Sequence, residues 1–549
     1  MQATELMIRC LENEGVRYIF GIPGEENLDF MDSLSESDQI TFVTTRHEQG
    51  AAFMANVYGR LSTYPGVCLA TLGPGATNLV TGIADAQLDR APLVAITGQA
   101  ARASAFKESH QSIDVVGLLR PVTKWNARIE EPTAIPEVVR KAFRLARLEK
   151  PGATHIELPE DVAEEEVEGE PMPVRRTTYP QALPDSIYRA AEMLRMAQRP
   201  IILAGNGVIR RQAAGYAAAE RLRTFARTLG LPVIPTFMGK GAVDYRDELA
   251  QPAVGLRSST ADLGGLAEAD VVLAVGYDLV EWDPRRWNPG KDKTILHIDS
   301  TAAEVDAHYV PAVEVVGEIG ESLRALESAC SERSPSWLDG RARRAALDEL
   351  ERYRGDDAFP IKPQRLVADL RSALDDEDVL ISDVGVHKLW LATLFPAACP
   401  NTVVIANGFA SMGIAVPGAV AAKLVHPDRK VVAVSGDGGF LMNSQELETA
   451  TRRNTPFVSV VCTDSRYGVI ELNQQRRFGR TFAVEFTNPD LVTYAHAFGL
   501  PGFRVERAED LLPVLRRALD LDVPSVVDVP VDASENLRLG CRRDGTVAA

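Results

Sequence analysis

The chain has 549 residues, 45% hydrophobic and 25% charged, enough for about three or four globular domains. A formal charge of −17 argues against nucleic acid or an anionic membrane as the main partner, because the summed field repels both. No stretch reaches the roughly 18–20 apolar residues of a membrane span, and six scattered cysteines without a CxxC pair read as reduced thiols, not zinc ligands.

The first 24 residues, "MQATELMIRCLENEGVRYIFGIPG", carry apolar residues at helical spacing with early charges. A signal peptide would show a continuous apolar run, so a cytoplasmic protein is expected. Through residues 1–170, helical patterns alternate with short strand-like runs, "ITFVTT", "GVCLAT", "PLVAIT" and "THIEL". Such alternation predicts βα units around a mainly parallel sheet. Glu160 to Pro180 is charged and lacks a period, and reads as a surface linker. A second block, 185–335, contains "PIILAG", "LPVIPT", "DVVLAVG" and "TILHID". "SERSPSWLDGRARRAALDELERYRG" then begins as a linker and continues as a charged helix. The third block, 358–540, repeats the alternation in "DVLISDVG", "NTVVIANG", "KVVAVSGDGG", "FVSVVCTDS" and "PSVVDVPV". No fixed-period repeat is visible, and the terminal "RRDGTVAA" reads as frayed. The predicted fold is α/β, three domains each with a mainly parallel sheet flanked by helices.

The third block raises a chemical question. "VSGDGGFLMN", Val434 to Asn443, ends an apolar strand in three glycines and an aspartate. Glycines there sacrifice packing and backbone entropy, and open α/β sheets bind ligands at the carboxyl ends of their strands. The following "NSQELETATRR" has helical composition, and its start could face a phosphate. The next strand ends in Asp464, 27 residues after Asp437, about one βα unit. On neighbouring strands the two carboxylates would share a crevice and suit Mg²⁺ carrying a phosphate. Alternatively, Asp437 is a strand-end residue that caps a helix. No Walker A loop is present.

In the first block, "TTRHEQGAAFMANVYGRL" places Glu48 just after a strand, at the start of an alanine-rich helix. A buried or nearly buried carboxyl is expected. It is either a helix N-terminal acid favoured by the macrodipole or one held ready to exchange a proton. "TLGPGATNLVTGIADA" has a Gly-Pro-Gly turn feeding a helix, a structural turn or a ligand wall.

Taken together, "RHEQGAAFMA", "LGPGATNLVTGIADA", "PLVAITGQ", "HQSID", "TKWN", "ISDVGVHKLW", "NGFASMGIAVPGA", "GDGGFLMNSQELETA" and "TDSRYGVI" resemble the acetolactate synthase group of thiamine-diphosphate-dependent enzymes, in the same order over nearly the whole chain. The resemblance implies a pyrimidine-binding domain, a central domain and a diphosphate-binding domain. It assigns Asp437, Asp464 and the carbonyl of Arg466 to Mg²⁺, and Gly436, Gly438, Gly439, Tyr467, Gly468 and Val469 to the cofactor around them. Gly385, Val386 and His387 map to the diphosphate side, although His387 also reads as a plain helix-start histidine. Pro23, Pro74 and Asn78 map to the pyrimidine side. Glu48 would hydrogen-bond N1′ of the aminopyrimidine. Met412, beside Ser411, would be the wedge that bends the cofactor; without the resemblance it reads as a core methionine. Gln111 matches the family's pocket Gln, which would help position the acceptor or steer product release.

The implied reaction decarboxylates pyruvate and joins the remainder to a second 2-oxo acid, with pyruvate the expected acceptor because Asn473 stands where the biosynthetic branch has Trp. In the family the two cofactor halves come from different subunits, so a homodimer at least, and a homotetramer, is expected. The central "LAGNGVIRRQ" has Gly205 and Gly207 but no third glycine at dinucleotide spacing, and "VGYDLVEWDPRRWN" resembles the catabolic type, so FAD is expected to be absent. Thr463-Asp464 replaces the usual Asn-Asn, and Val386 a frequent Gln. Val469 replaces a frequent Met. Glu25 and Glu26 stand where the catabolic type has Ala-Lys, and read as helix-capping acids. "GPGATNLVTGIADA" is closer to the biosynthetic wording. Competing readings are another thiamine-diphosphate decarboxylase or carboligase, a non-catalytic relative, and a peroxide-forming oxidase with redox-active flavin.

Overall fold

The computed structural model describes all residues except 105–106, 176, 211–216, 257–263, 331–336, 339 and 540–549. Cys541, the terminal "RRDGTVAA" and the start of the linker at 331 lie outside the described residues. Contacts group the chain into two compact units: 1–177 with 408–428 and 441–457, and 178–407 with 429–440 and 458–549.

The first unit holds a six-stranded parallel sheet of β1 (Tyr18–Gly21), β2 (Thr41–Thr44), β3 (Gly66–Ala70), β4 (Leu93–Gln99), β5 (Trp125–Arg128) and β6 (Ala153–Pro159), in the order β2-β1-β3-β4-β6-β5. β3, β4 and β6 are buried along their whole length, as strands covered on both faces must be. The helix Ala3–Asn13 turns Leu6, Met7, Cys10 and Leu11 into the core beside Phe30 and Phe143. The expected linker from Glu160 begins instead as the helix Glu160–Ala163. Its Val162 and Ala163, and then Val167, enter the core, because their apolar side chains reach the face of the sheet before the chain turns outward.

The second unit holds two parallel sheets. One contains β7 (Pro200–Ala204), β8 (Val233–Pro235), β9 (Val271–Val275), β10 (Thr294–Asp299) and β11 (Val313–Val316), in the order β11-β10-β9-β7-β8. The other contains β12 (Val379–Ser382), β13 (Val403–Ile405), β14 (Val431–Gly436), β15 (Val458–Thr463), β16 (Gly502–Arg504) and β17 (Ser525–Pro530), in the order β13-β12-β14-β15-β17-β16. Counted within its own sheet, that order is 2-1-3-4-6-5, the order of the first sheet. The charged helix expected after residue 340 is present as Arg341–Tyr353. Cys10, Cys68, Cys330, Cys399 and Cys462 are free thiols. Among the described residues no helix is long and apolar enough to cross a membrane.

Candidate active site

In an order 2-1-3-4-6-5 the chain reverses direction across the sheet between the first and third strands, and ligands bind outside the strand ends at such a point. In the last sheet these are β12 and β14. The backbone after β14 enters a helix, Asp437–Asn443, directly. The helix therefore opens at Asp437 rather than at the predicted "NSQELETATRR", and that stretch supplies a second helix, Glu446–Arg452.

Asp437 and Asp464 follow the paired strands β14 and β15 and share one corner. Oδ2 of Asp437 accepts the N–H groups of Ser465 at 2.7 Å and Asp464 at 3.2 Å, and Oδ1 accepts that of Gly438 at 2.8 Å. Asp464 Oδ1 accepts the Arg466 N–H at 3.1 Å, and Ser465 takes a left-handed conformation, φ 57°, to make the turn. Burial raises the Asp437 carboxyl. Burial, then the charge of Asp437, pushes Asp464 up to about 7. A cation held between the two carboxylates would relieve the repulsion that Asp437 imposes on Asp464.

Asn488, which the sequence did not single out, donates to Asp437 Oδ2 at 2.7 Å and to Ser465 Oγ at 3.1 Å, while its own buried Oδ1 has no partner among the described residues. Hard oxygen donors of this kind fit Mg²⁺. Among the described residues no three His, Cys, Asp or Glu side chains form a metal cage, so a cation here would complete its shell from carbonyl, water or ligand oxygens.

The glycines are fixed by what surrounds them. A Cβ on Gly438 would stand 2.9 Å from the Tyr467 ring, one on Gly439 2.9 Å from Asp383 Oδ1, and one on Gly468 2.8 Å from Val386. His387 lies beside Gly436, its Nδ1 3.4 Å from where a Cβ would be. Its Nε2 pairs with the Asp383 carbonyl at 3.0 Å, and burial drives the imidazole down to about 4, so it is neutral. Gly385 is extended and caps the helix Val386–Leu394. The structure thus gathers Gly385, Val386, His387, Gly436, Asp437, Gly438, Gly439, Asp464, Tyr467 and Gly468 at one edge, and a backbone this bare admits a diphosphate.

In the first unit, β1 and β3 flank the reversal, and Pro23 and Pro74 follow them, both exposed. Glu48 opens the helix Glu48–Leu61. It is half-buried, short of the buried or nearly buried carboxyl expected. Its Oε2 accepts the Asn78 amide at 2.9 Å. The turn before it is held from far away in sequence: Glu446, 0% exposed, accepts the N–H groups of Arg46 at 3.0 Å and His47 at 3.1 Å, and the Thr449 hydroxyl at 2.6 Å. Burial pushes Glu446 up to about 7. Ser411 donates its N–H to Asp85 at 3.1 Å, and Met412 is half-buried, not a core methionine. Gln111 is exposed and left-handed, φ 54°, against Gly73. Glu25 and Glu26 form a single 3₁₀ turn before the helix Leu28–Ser35 and do not cap it. Glu26 instead accepts the Thr71 hydroxyl at 2.5 Å.

The central sheet has its own glycine-bearing loop after β7. A Cβ on Gly205 would stand 2.4 Å from the Gly276 carbonyl, and one on Gly207 2.6 Å from Gly276 Cα, so these glycines serve loop-on-loop packing. Both oxygens of Glu281 accept the Asn206 N–H at 3.0 Å. Oε1 also takes the Asp278 N–H at 3.0 Å, and Oε2 the Thr236 hydroxyl. The N–H groups of Asn206 and Asp278, which a cofactor phosphate at this strand end could use, thus already have an acceptor within the loops.

Three family models match: the N-terminal TPP (thiamine pyrophosphate, or diphosphate) binding domain at residues 1–118, the central domain at 187–326 and the C-terminal TPP binding domain at 383–529 of thiamine pyrophosphate enzymes. The acetolactate synthase of Bacillus subtilis is 37% identical over 98% of this chain and 94% of its own length. A catabolic acetolactate synthase of Raoultella terrigena is 37% identical over 97% and 95%. The chloroplastic acetolactate synthase 1 of Nicotiana tabacum is 31% identical over 98% and 82%. The chain belongs to the acetolactate synthase family of thiamine pyrophosphate enzymes.

Proposed function

We propose that this chain is an acetolactate synthase that releases CO₂ from pyruvate and joins the remainder to a second pyruvate, giving 2-acetolactate. The observation that carries the reading is the corner shared by Asp437 and Asp464, with Asn488 behind it, at the reversal of a sheet that the family uses for its cofactor.

Asp437, Asp464 and the Arg466 carbonyl would hold Mg²⁺, and the glycines from Gly436 to Gly439 would lie along the diphosphate. Bound thiamine diphosphate supplies the electron sink that lets a 2-oxo acid lose its carboxylate. Glu48 holds and passes a proton at N1′ of the aminopyrimidine. Asn78 occupies its Oε2 and so orients the carboxyl, leaving Oε1 for that contact. Pro23 and Pro74 would border the pyrimidine. Met412 would wedge the cofactor into its bent shape, its loop pinned by Asp85 through Ser411. Val386, Tyr467 and Val469 would wall the site, and Gln111 would position the acceptor. Glu48 of one copy would serve Asp437 of another, which makes the active form a dimer at least, with a tetramer expected. The domains implied are 1–170, 185–335 and 358–540. The bonded loops around Glu281 support a flavin-free enzyme, and the cytoplasm is the compartment expected for it.

Incubation of purified protein with pyruvate, thiamine diphosphate and Mg²⁺, followed by mass analysis of the product, tests the reading. Acetolactate is expected. Free acetaldehyde as the main product would replace it with a simple decarboxylase.

A further inference from the structure

A second cleft, of about 70 Å³, opens between the helix Arg341–Tyr353, the segment 393–397 and the stretch 240–253. None of its lining residues belongs to the strand-end group described above. Its walls are mostly apolar, with Val243, Leu347, Leu350 and Phe395 prominent. Polar side chains line it as well: Lys240, Gln251 and Arg343, with the hydroxyls of Tyr245 and Thr393.

Lys240 is 5% exposed, although an ammonium is costly to bury without a counter-charge. Its Nζ donates to the Ala392 carbonyl at 2.8 Å, one bond for a group with three donors. Burial draws the amine down to about 7. Gln251 is 6% exposed, and among the described residues its buried Oε1 has no partner. Arg343 spends Nε and one terminal nitrogen on the carbonyls of Tyr245 and Arg246, at 2.9 and 3.0 Å. Among the described residues no Asp or Glu lines the cleft. The walls thus offer two basic groups, one open acceptor and apolar surface.

We propose that this cleft binds a short 2-hydroxy monocarboxylate, its carboxylate on Lys240 and Arg343, its hydroxyl donating to Gln251 Oε1, and its carbon chain against Leu347, Leu350 and Phe395. Size agrees: at roughly 10–15 Å³ per water-sized probe, the cleft takes about five to seven heavy atoms, a three- or four-carbon acid. A 2-amino acid of the same size would set an ammonium beside Lys240 and Arg343, and like charges repel in a poorly solvated site. Phosphate would leave the apolar walls unused. Binding here is independent of the activity proposed above.

The test uses the full chain, dialysed free of metal and thiamine diphosphate, titrated calorimetrically with L-lactate, propionate and L-alanine. One lactate site per chain is expected. Propionate should bind about tenfold more weakly, since it leaves a buried acceptor unpaired, and alanine should give no measurable heat. Lys240→Met should abolish lactate binding. Gln251→Leu should weaken lactate to the level of propionate and leave propionate unchanged. No heat with lactate, alanine binding as tightly as lactate, or lactate affinity unaltered in both variants would overturn the proposal. If Lys240→Met fails to fold, Gln251→Leu decides: retained preference for lactate over propionate overturns it.

Discussion

The side-chain amide of Asn488 donates to Oδ2 of Asp437 at 2.7 Å, and the other end of that amide is buried with no partner. One residue therefore orients the carboxylate proposed to hold Mg²⁺ and carries an open oxygen of its own. Groups behind metal ligands typically tune affinity by 10–100-fold. Asn488→Ala should weaken Mg²⁺-dependent cofactor binding by about that factor, read from Mg²⁺ titrations of cofactor fluorescence or heat. An unchanged Mg²⁺ midpoint would show that Asn488 only packs.

Asp464 and Asp437 oppose one another in the metal-free protein, since burial and then Asp437 raise Asp464. Asp464→Asn removes one buried charge. It should raise the melting temperature of metal-free protein by a few degrees, as about 1 kcal/mol does for a domain of this size, and should abolish the further rise that Mg²⁺ with thiamine diphosphate gives the parent. Loss of stability in the metal-free state would contradict the like-charge account.

Glu48→Gln keeps the bond partner of Asn78 but not the proton. Turnover should fall by roughly 10²–10⁴-fold while cofactor affinity persists. If Glu48 of one copy serves Asp437 of another, mixing Glu48→Gln with Asp437→Asn chains after dissociation should restore activity, because one site in each mixed pair is intact. Mixtures as inactive as either parent would place both residues in one chain's site.

The buried carboxyl of Glu446 holds its proton up to about 7, against an ordinary value of 4.5. A folded value above the unfolded one means that the unfolded chain releases its proton first. Stability from this group is therefore complete below pH 4.5 and declines as the pH rises to about 7, by roughly 3 kcal/mol at most. Denaturant titrations across that window should show a shallower decline in Glu446→Gln than in the parent.

Removing Glu281 should cost more than its packing. Glu281→Ala leaves the N–H groups of Asn206 and Asp278 and the Thr236 hydroxyl without their acceptor, at about 1–3 kcal/mol for each buried group. The melting temperature should drop by several degrees, whereas Glu281→Gln should keep much of it. The purified parent should show no flavin absorbance.

Much of this fold was legible from apolar runs, because strands covered on both faces must be apolar throughout. The strands that escaped notice are mostly edges. β5, β11 and β16 are sheet borders, and "WNAR", "VEVV" and "GFR" are polar or very short, so nothing sets them apart from loops. β1 is internal, but its "YIFG" merges with the helical pattern before it. Asp437 and Asp464 could be paired in advance because one βα unit separates them. Asn488 and Glu446 could not. Asn488 follows an irregular stretch, and Glu446 reaches a turn 400 residues away, a separation no local period encodes. Glu281 hid as one acid in a run read for its aromatic and proline pattern.

The first and last sheets share one strand order. A chain that carries the same frame twice can let each frame specialise alone. One has come to present paired acids and bare backbone, the other a single acid steadied by an amide. Changes that retune substrate choice on one frame need not disturb anchorage on the other, which gives such a chain room to diversify its chemistry while its grip on a coenzyme stays put.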